Sequence, residues 1–259
     1  MPFFKRNFRL NDFITYPHAF VIGCIADKQV DADIAWLTPY NIYTQVESFH
    51  IKDLAKIELN RFREIMDNSN PKHRFHKMVA EEIHCGIKNI MDTYNGNAAN
   101  IWGGKPSCAV VAKRFLKFKG VGPKISSMAT NILYRDFKVP FSDYSSIDIS
   151  ADVHIQRVFA RLGLCSESAT VDEIIKIARS LHPQFPGIMD LPTWEIGKYW
   201  CNSNVQACSQ CYLREAYASS KSTTPLQDKE QHTDSMNRYG SQQKKKLNRF
   251  LSNDQRSGD

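Results

Sequence analysis

Two short stretches contain residues whose types and spacing could do chemistry on DNA. Residues 118–124 read Phe-Lys-Gly-Val-Gly-Pro-Lys, and Asp152-Val153-His154 follows further along the chain. A Gly-x-Gly turn between two helices lacks side chains, so its backbone N–H groups can approach a phosphate. A lysine just past the turn and a carboxylate beyond it could then act on the nucleotide held there. The pairing indicates an enzyme of DNA damage.

Lys124 is the candidate nucleophile. A neutral amine can attack C1′ of a nucleotide flipped out of the duplex, expel the base and form a Schiff base. β-Elimination from that intermediate would cut the strand. The alternative is that Lys124 makes one more sequence-independent phosphate contact.

Asp152 is the candidate catalytic carboxylate. It could stabilise the oxocarbenium-like charge that develops as the base leaves, and it could assist proton transfer. Its alternative role is the N-cap of the helix that carries His154. The two roles are compatible, because a carboxylate at a helix start can face a cleft.

The residues around these stretches have helical spacing. One apolar stripe comprises Val79, Ile83, Ile87 and Ile90, and a similar spacing joins Leu54, Ile57, Phe62 and Ile65. Pro123 suits the first position of a helix, which places a helix–hairpin–helix at about residues 109–134. Few segments alternate apolar and polar residues as strands do. We therefore predict an all-α fold.

Further elements follow from local signals. The apolar run from Phe20 predicts a buried first helix that ends near Lys28-Gln29. Residues 136–150 have no helical pattern and predict an irregular connection. The sequence Thr170-Val171-Asp172-Glu173 is a capping box that opens a helix. A last helix is predicted from Leu191 to Trp200.

Composition and charge favour a polyanionic partner. The formal net charge is +7 and the isoelectric point is about 9.0. The N-terminal residues lack an apolar leader pattern, and no run of eighteen apolar residues occurs. We therefore expect an intracellular protein that resides with DNA, in a cytoplasm and nucleoid or in a nucleus. Residues 218–259 are polar and basic and are expected to be disordered.

At the residues quoted above, the chain resembles the helix–hairpin–helix (HhH-GPD) DNA glycosylases, and most closely endonuclease III. That family carries Leu-Pro-Gly-Val-Gly-x-Lys and then Val-Asp-x-His-x-x-Arg-Val. Residues 118–124 match at Gly-Val-Gly-x-Lys, with Phe-Lys in place of Leu-Pro, and residues 151–158 match at Asp-x-His-x-x-Arg-Val, with Ala in place of the first Val. The resemblance covers about residues 14–217 and leaves 1–13 as an N-terminal segment. It implies two helical subdomains with the helix–hairpin–helix between them and a C-terminal cysteine loop.

The resemblance also implies roles for single residues. Lys124 matches the Schiff-base nucleophile and Asp152 the catalytic carboxylate. DNA contacts are implied for the hairpin residues Gly120, Val121 and Gly122.

Three further residues match family positions near the site. Gln29 would fill the gap left by a flipped base; its alternative is a solvated helix end. His154 is expected to buttress the site, and Arg157 to reach a phosphate or an internal carboxylate.

The cysteine loop, residues 201–217, departs from the family pattern. Cys201-x6-Cys208-x2-Cys211 fits the family's iron–sulfur spacing, but Tyr217 occupies the fourth position. Three thiolates could hold a [4Fe–4S] cluster if another ligand completes it. The alternatives are weak zinc binding or no metal. The chemistry assigned to Lys124 requires none of them.

The connection between Lys124 and Asp152 is longer than the family's. It contains two rival carboxylates, Asp143 and Asp148, although neither is followed by the x-His-x-x-Arg-Val pattern. The longer connection could reshape the substrate pocket.

These features predict a monomeric DNA glycosylase with AP-lyase activity. We expect it to act on double-stranded DNA that contains a damaged base, an oxidised pyrimidine, or an abasic site. The alternatives are an 8-oxoguanine or alkylated-base glycosylase of the same fold, and a non-catalytic helix–hairpin–helix module.

Overall fold

The structure, a computed structural model, describes Leu10 and residues 12–201 of the 259-residue chain. The chain divides into two compact units, Met1–Tyr144 and Ser145–Asp259. Every regular element in the described ranges is a helix, which confirms the all-α prediction. The predicted tail (218–259), together with Cys208, Cys211 and Tyr217, lies outside the described residues.

The first unit contains seven α-helices and a 3₁₀ turn at Ala98–Ile101 within its described residues. The helices are α1 (Pro17–Ala26), α2 (Ala32–Tyr43), α3 (Ile51–Leu54), α4 (Leu59–Asp67), α5 (His76–Thr93), α6 (Cys108–Phe115) and α7 (Pro123–Arg135). α5 is the longest, with 18 residues, and none of the helices described has both the length and the apolarity to cross a membrane.

Helix α1 is the centre of this unit. All ten of its residues are buried, because its sequence is apolar on every side and the helix must be covered all round. Helices α2, α5 and α7 pack against it. The stripe predicted on α5 is buried at all four positions, Val79, Ile83, Ile87 and Ile90.

The predicted end of the first helix was wrong by two to three residues. α1 ends at Ala26, Asp27 leaves helical geometry, and Gln29 has a left-handed backbone with φ of 47°. The carbonyl oxygen of Ala26 has two partners after the helix ends: Nε2 of His73 lies 2.8 Å from it, and Lys28 N donates to it over 2.8 Å.

The segment with regular spacing from Leu54 to Ile65 forms two helices. α3 ends at Leu54, and α4 starts at Leu59 after Glu58 adopts an extended conformation. Both helices pack on α5, so the apolar spacing continues across the break.

The second unit carries the remaining helices. They are α8 (Val153–Arg161), α9 (Val171–Leu181), a 3₁₀ turn (Pro186–Met189), α10 (Asp190–Glu195) and a π-helix (Ile196–Trp200). The capping box of α9 is confirmed, with Thr170 N donating to Glu173 Oε2 over 2.7 Å and Glu173 N to Thr170 Oγ1 over 3.3 Å. The predicted last helix changes to π geometry after Glu195.

The connection 136–150 is irregular, as predicted, yet it is held at several points. In the first unit, Val139 N donates to Leu133 O and Ser142 N to Pro106 O, each over 3.0 Å. In the second unit, Ile147 and Ile149 are buried. Its two ends are therefore packed parts of their respective units.

Candidate active site

The helix–hairpin–helix is formed by α6, the turn 116–122 and α7. Ser107 caps α6, and Pro123 occupies the first position of α7 with Gly122 as its N-cap. Phe118 and Val121 are buried and anchor the turn, and Val121 N donates to Phe118 O over 3.0 Å. Ser126 Oγ donates to Ala112 O over 2.8 Å and so ties the two helices together.

The two glycines of the turn serve different purposes. Gly120 has φ of +89°, a conformation that L side chains rarely adopt, and a β-carbon there would collide with the side chains of Lys28 and Glu82. Gly122 has an extended backbone, and among the described residues, its two chain neighbours aside, no atom lies within 4 Å of a β-carbon built on it. The first-turn N–H groups of α7, which lack acceptors within the helix, begin beside this open space.

Lys124 lies in the first turn of α7 and its side chain is 43% exposed. Its Nζ lies 3.2 Å from Oδ2 of Asp27, whose side chain is only 9% exposed. The amine is therefore both accessible and held at a defined place. A carboxylate at this distance can also accept a proton from it.

Asp27 belongs to a short segment that continues through Lys28 to Gln29. Lys28 Nζ lies 2.5 Å from Oε2 of Glu82 on α5, and this ion pair is largely buried, with side-chain exposures of 15% and 6%. It lies directly beneath Gly120. Gln29 itself is exposed. The structure thus brings together the candidate nucleophile, the hairpin and the predicted gap-filling residue within the first unit.

In the second unit, Asp152 caps α8. Its Oδ1 accepts hydrogen bonds from the backbone N–H groups of His154 and Ile155 at 2.9 and 3.0 Å. Within the described ranges, no donor reaches its other oxygen, Oδ2. The N-cap role is therefore present, and it uses one carboxylate oxygen.

The backbone segment that leads into Asp152 is held in place by a second carboxylate. Oδ1 of buried Asp190 accepts from the backbone N–H of Ser150 at 2.6 Å and also from the Ser150 hydroxyl. Gly187 N donates to Ile147 O over 2.8 Å. These bonds set the path of the chain immediately before α8.

Arg157 and His154 contact each other and the end of the described chain. Arg157 Nη2 lies 2.9 Å from His154 Nδ1 and donates to Gly197 O at 2.8 Å, while its Nε donates to Cys201 O at 2.7 Å. Burial lowers the pKa of Arg157. A β-carbon on Gly197 would lie 2.8 Å from Cβ of His154, so the π-helix packs closely on α8.

Cys201 is the one cysteine of the predicted metal set that falls in the described part of the chain. Arg161 Nη1 lies 3.1 Å from its Sγ and 3.2 Å from its carbonyl oxygen. Within residues 10 and 12–201, no three His, Cys, Asp or Glu side chains are placed to hold a metal ion.

Asp143 and Asp148, the two rival carboxylates, have surroundings that differ from those of Asp152. Asp148 forms a two-point ion pair with Arg179, with both N–O distances at 2.7 Å. Asp143 accepts a hydrogen bond from Cys108 Sγ through its backbone carbonyl at 2.7 Å. Neither starts a helix, whereas Asp152 does.

Sequence reasoning missed Asp27, Glu82 and Asp190. Asp27 is 97 residues from Lys124, Glu82 is 54 from Lys28 and Asp190 is 40 from Ser150. No motif spacing connects such pairs. The one available signal was an acidic residue at the end of an otherwise apolar helix, since a buried carboxylate requires a partner.

Comparison with solved structures identifies the fold. The chain is similar to a trapped endonuclease III–DNA covalent intermediate, in its estranged-adenine complex, with 20% identity over 78% of this chain and 84% of that one and a TM-score of 0.56. It is also similar to a non-covalent endonuclease III–DNA complex, with 19% identity, 78% and 85% coverage and a TM-score of 0.57. The chain thus has the endonuclease III-like helix–hairpin–helix fold. No protein-family model and no curated protein matches it.

Proposed function

We propose that this protein is a base-excision DNA glycosylase with AP-lyase activity that uses Lys124 as a Schiff-base nucleophile. The observation that carries the proposal is the position of Lys124: an exposed amine in the first helical turn after a Gly-Val-Gly hairpin, paired to the carboxylate of Asp27. The endonuclease III-like fold supports it, since the similar structures are complexes with DNA, one of them covalent.

Double-stranded DNA with a damaged base or an abasic site is the proposed substrate. The hairpin would bind a backbone phosphate at the N-terminus of α7, where helix geometry leaves N–H groups without acceptors. The open space above Gly122 supports such an approach. Exposed Gln29, from the adjoining segment, would fill the place of the flipped nucleotide.

The proposed reaction starts with attack of the neutral Lys124 amine on C1′. The Nζ–C1′ bond forms, the glycosidic bond breaks, and the base leaves with that electron pair and takes up a proton. The new C1′ amine gives up one proton, the C1′–O4′ bond then breaks and O4′ takes up a proton, which leaves a ring-opened iminium at C1′. This iminium acidifies the C2′ protons, so loss of one of them expels the 3′ phosphate by β-elimination. Asp152 would stabilise the positive charge at C1′ through Oδ2 while Oδ1 caps α8.

His154 and Arg157 are proposed to support this site. Arg157 bonds to His154, to Gly197 O and to Cys201 O, and it would hold the start of α8 against the π-helix. This pattern favours the buttressing role for His154. A phosphate contact by Arg157 would use the part of its guanidinium that remains accessible.

An oxidised pyrimidine is the proposed lesion. A panel of duplexes, each with one oxidised pyrimidine, 8-oxoguanine or alkylated base, tests this choice. We expect excision of the oxidised pyrimidine to be fastest. Faster excision of 8-oxoguanine or of the alkylated base would reassign the lesion and leave the Lys124 chemistry intact.

Cys201, Cys208 and Cys211 are proposed to hold a [4Fe–4S] cluster in a structural role. The spacing of the three cysteines supports the assignment, because thiolates are the usual ligands of such clusters. Iron and acid-labile sulfide in protein purified without oxygen, lost in Cys208→Ser, would support the assignment. Protein that has neither iron nor sulfide and remains folded would refute it.

The proposed function is tested by nicking of abasic-site DNA in the presence of a metal chelator. Wild-type protein and the matched surface variant Lys56→Ala should cut the strand, and Lys124→Ala should not. Lys56 is a suitable control because it lies in an exposed ion pair with Asp53. Salt-sensitive binding without nicking by the wild type would instead indicate a non-catalytic DNA-binding module.

A further inference from the structure

We propose that Asp27 is a positioning residue for Lys124, which holds the amine beside the hairpin and accepts its proton before attack on C1′. This inference rests on the proposed function. Its basis is the contact of 3.2 Å between Lys124 Nζ and Asp27 Oδ2, made by two residues 97 positions apart.

Asp27 is itself firmly placed. Its backbone N–H donates to Cys24 O at 3.2 Å, and the preceding carbonyl, Ala26 O, accepts a hydrogen bond from buried His73 at 2.8 Å. The following residue, Lys28, is fixed by Glu82. A carboxylate on so rigid a segment can restrict the long lysine side chain, whose free rotamers would otherwise spread the amine over many positions.

Each of the two lysines near Asp27 has its own carboxylate partner. Lys28 has Glu82 as its partner at 2.5 Å, and within the described ranges Lys124 is the one cation that pairs with Asp27. Asp27 is nearly buried whereas Lys124 is partly exposed, so substrate can reach the amine while the carboxylate stays behind it. This arrangement suits a proton acceptor better than a surface ion pair.

In the part of the chain that the structure describes, few charged and titratable groups surround Asp27. Cys24 precedes it on α1, Lys28 follows it and His73 lies at the Ala26 carbonyl. Burial raises the pKa of the Cys24 thiol and lowers the pKa of His73, so both are neutral near pH 7. Lys28 is paired with Glu82, and the Nζ of Lys124 lies beside the Asp27 carboxylate.

Schiff-base formation with an abasic substrate is balanced in protons when Asp27 acts as the acceptor. Lys124 gives one proton to the Asp27 carboxylate, and its freed electron pair forms the Nζ–C1′ bond with the open-chain aldehyde as the C1′–O π bond breaks. A second proton moves from Nζ to the aldehyde oxygen and makes the carbinolamine hydroxyl. The Asp27 carboxylic acid then returns that proton to the departing hydroxyl. Water leaves, the iminium forms, and Asp27 is again a carboxylate. Added borohydride supplies the hydride that reduces the iminium to a stable amine.

The test is the pH dependence of single-turnover borohydride trapping on an abasic duplex, for wild type, Asp27→Asn, Asp27→Glu and the surface control Asp53→Asn. Loss of a general base should slow Asp27→Asn by about 100-fold at pH 7. The rate of Asp27→Asn should rise with pH, since solvent must then remove the proton, and wild type should be nearly level over the same range. Asp53→Asn should match wild type.

Asp27→Glu keeps a carboxylate and should retain the wild-type shape of the profile at a lower plateau. Melting temperatures establish that each variant is folded; if Asp27→Asn is not, Asp27→Glu decides the matter by the shape of its profile. The inference would be overturned if Asp27→Asn trapped at the wild-type rate at every pH, or trapped faster than wild type near pH 7. A rise with pH in Asp27→Glu like that expected of Asp27→Asn would also overturn it. Absence of trapping in the wild type would instead refute the proposed function itself.

Discussion

Glu82 occupies the space that a side chain at Gly120 would need. A β-carbon on Gly120 would lie 2.5 Å from Cδ of Glu82, and the residue has φ of +89°. Gly122, two residues later, faces open space. The hairpin is therefore closed against the protein at one glycine and open at the other.

This difference predicts that alanine at Gly120 mainly lowers stability, whereas alanine at Gly122 mainly weakens DNA binding. Gly120→Ala should lower the free energy of unfolding by about 1–3 kcal/mol, because it combines backbone strain with a steric clash. Gly122→Ala should lower it by no more than about 1 kcal/mol, the usual cost of Ala at an N-cap, yet weaken DNA binding, because the added methyl group occupies the phosphate approach. Urea denaturation and binding titrations at fixed salt measure the two effects. Full DNA affinity in Gly122→Ala would contradict phosphate binding at this turn.

The buried ion pair between Lys28 and Glu82 predicts a large effect of removing one partner. Glu82→Gln leaves the Lys28 ammonium without a counter-charge and should destabilise the protein by about 3–5 kcal/mol. Glu64→Gln, at an exposed pair with Arg61, should cost less than about 1 kcal/mol. Denaturant unfolding of both variants makes the comparison.

A double variant separates charge from packing at the same place. Lys28→Met/Glu82→Met should recover most of the stability lost in Glu82→Gln, because no unpaired charge remains. Equal losses in the single and double variants would show that packing, not charge, is the main contribution.

Asp152 permits separation of capping from chemistry. Asn is as good an N-cap as Asp, so Asp152→Asn should keep the stability of the protein within about 0.5 kcal/mol, whereas Asp152→Ala should lose about 1 kcal/mol. Base excision should fall by about 100-fold or more in both, since each lacks the carboxylate charge. Wild-type excision by Asp152→Asn would leave the residue as a cap alone.

His18 predicts a loss of stability in mild acid. Burial lowers its pKa to about 4, while its Nε2 contacts Phe49 O at 2.8 Å. The unfolded chain binds a proton below pH 6.5 that the folded protein does not bind until about pH 4. Stability should therefore fall as the pH drops from 6.5 to 4, by about 3 kcal/mol from this residue. Urea unfolding of His18→Gln should show a smaller fall, and an equal fall would exclude His18 as its cause.

Elements whose signals are local could be predicted. The stripe of α5, the capping box at Thr170 and the start of α7 at Pro123 depend on residues a few positions apart, and the structure contains all three. The end of α1 could not be predicted in this way. The carbonyl at this end contacts His73, which is 47 residues from Ala26.

The residues of the candidate site show the same distinction between local and long-range signals. Lys124 and Asp152 could be found because a turn and a helix start have recognisable neighbours in the sequence. Asp27 could not be assigned to Lys124, since its sequence context is a helix end next to Gln29 and its partner comes from α7. Long-range polar pairs of this kind are set by tertiary packing, which no window of the sequence contains.

Borohydride trapping on a duplex with one abasic site tests the central claim most directly. Wild type and Lys56→Ala should form a covalent adduct, Lys124→Ala should form none, and mass spectrometry should locate the adduct on the peptide that contains Lys124. An adduct of equal yield in Lys124→Ala, or one mapped to the neighbouring Lys119, would contradict the assignment of Lys124 as the nucleophile.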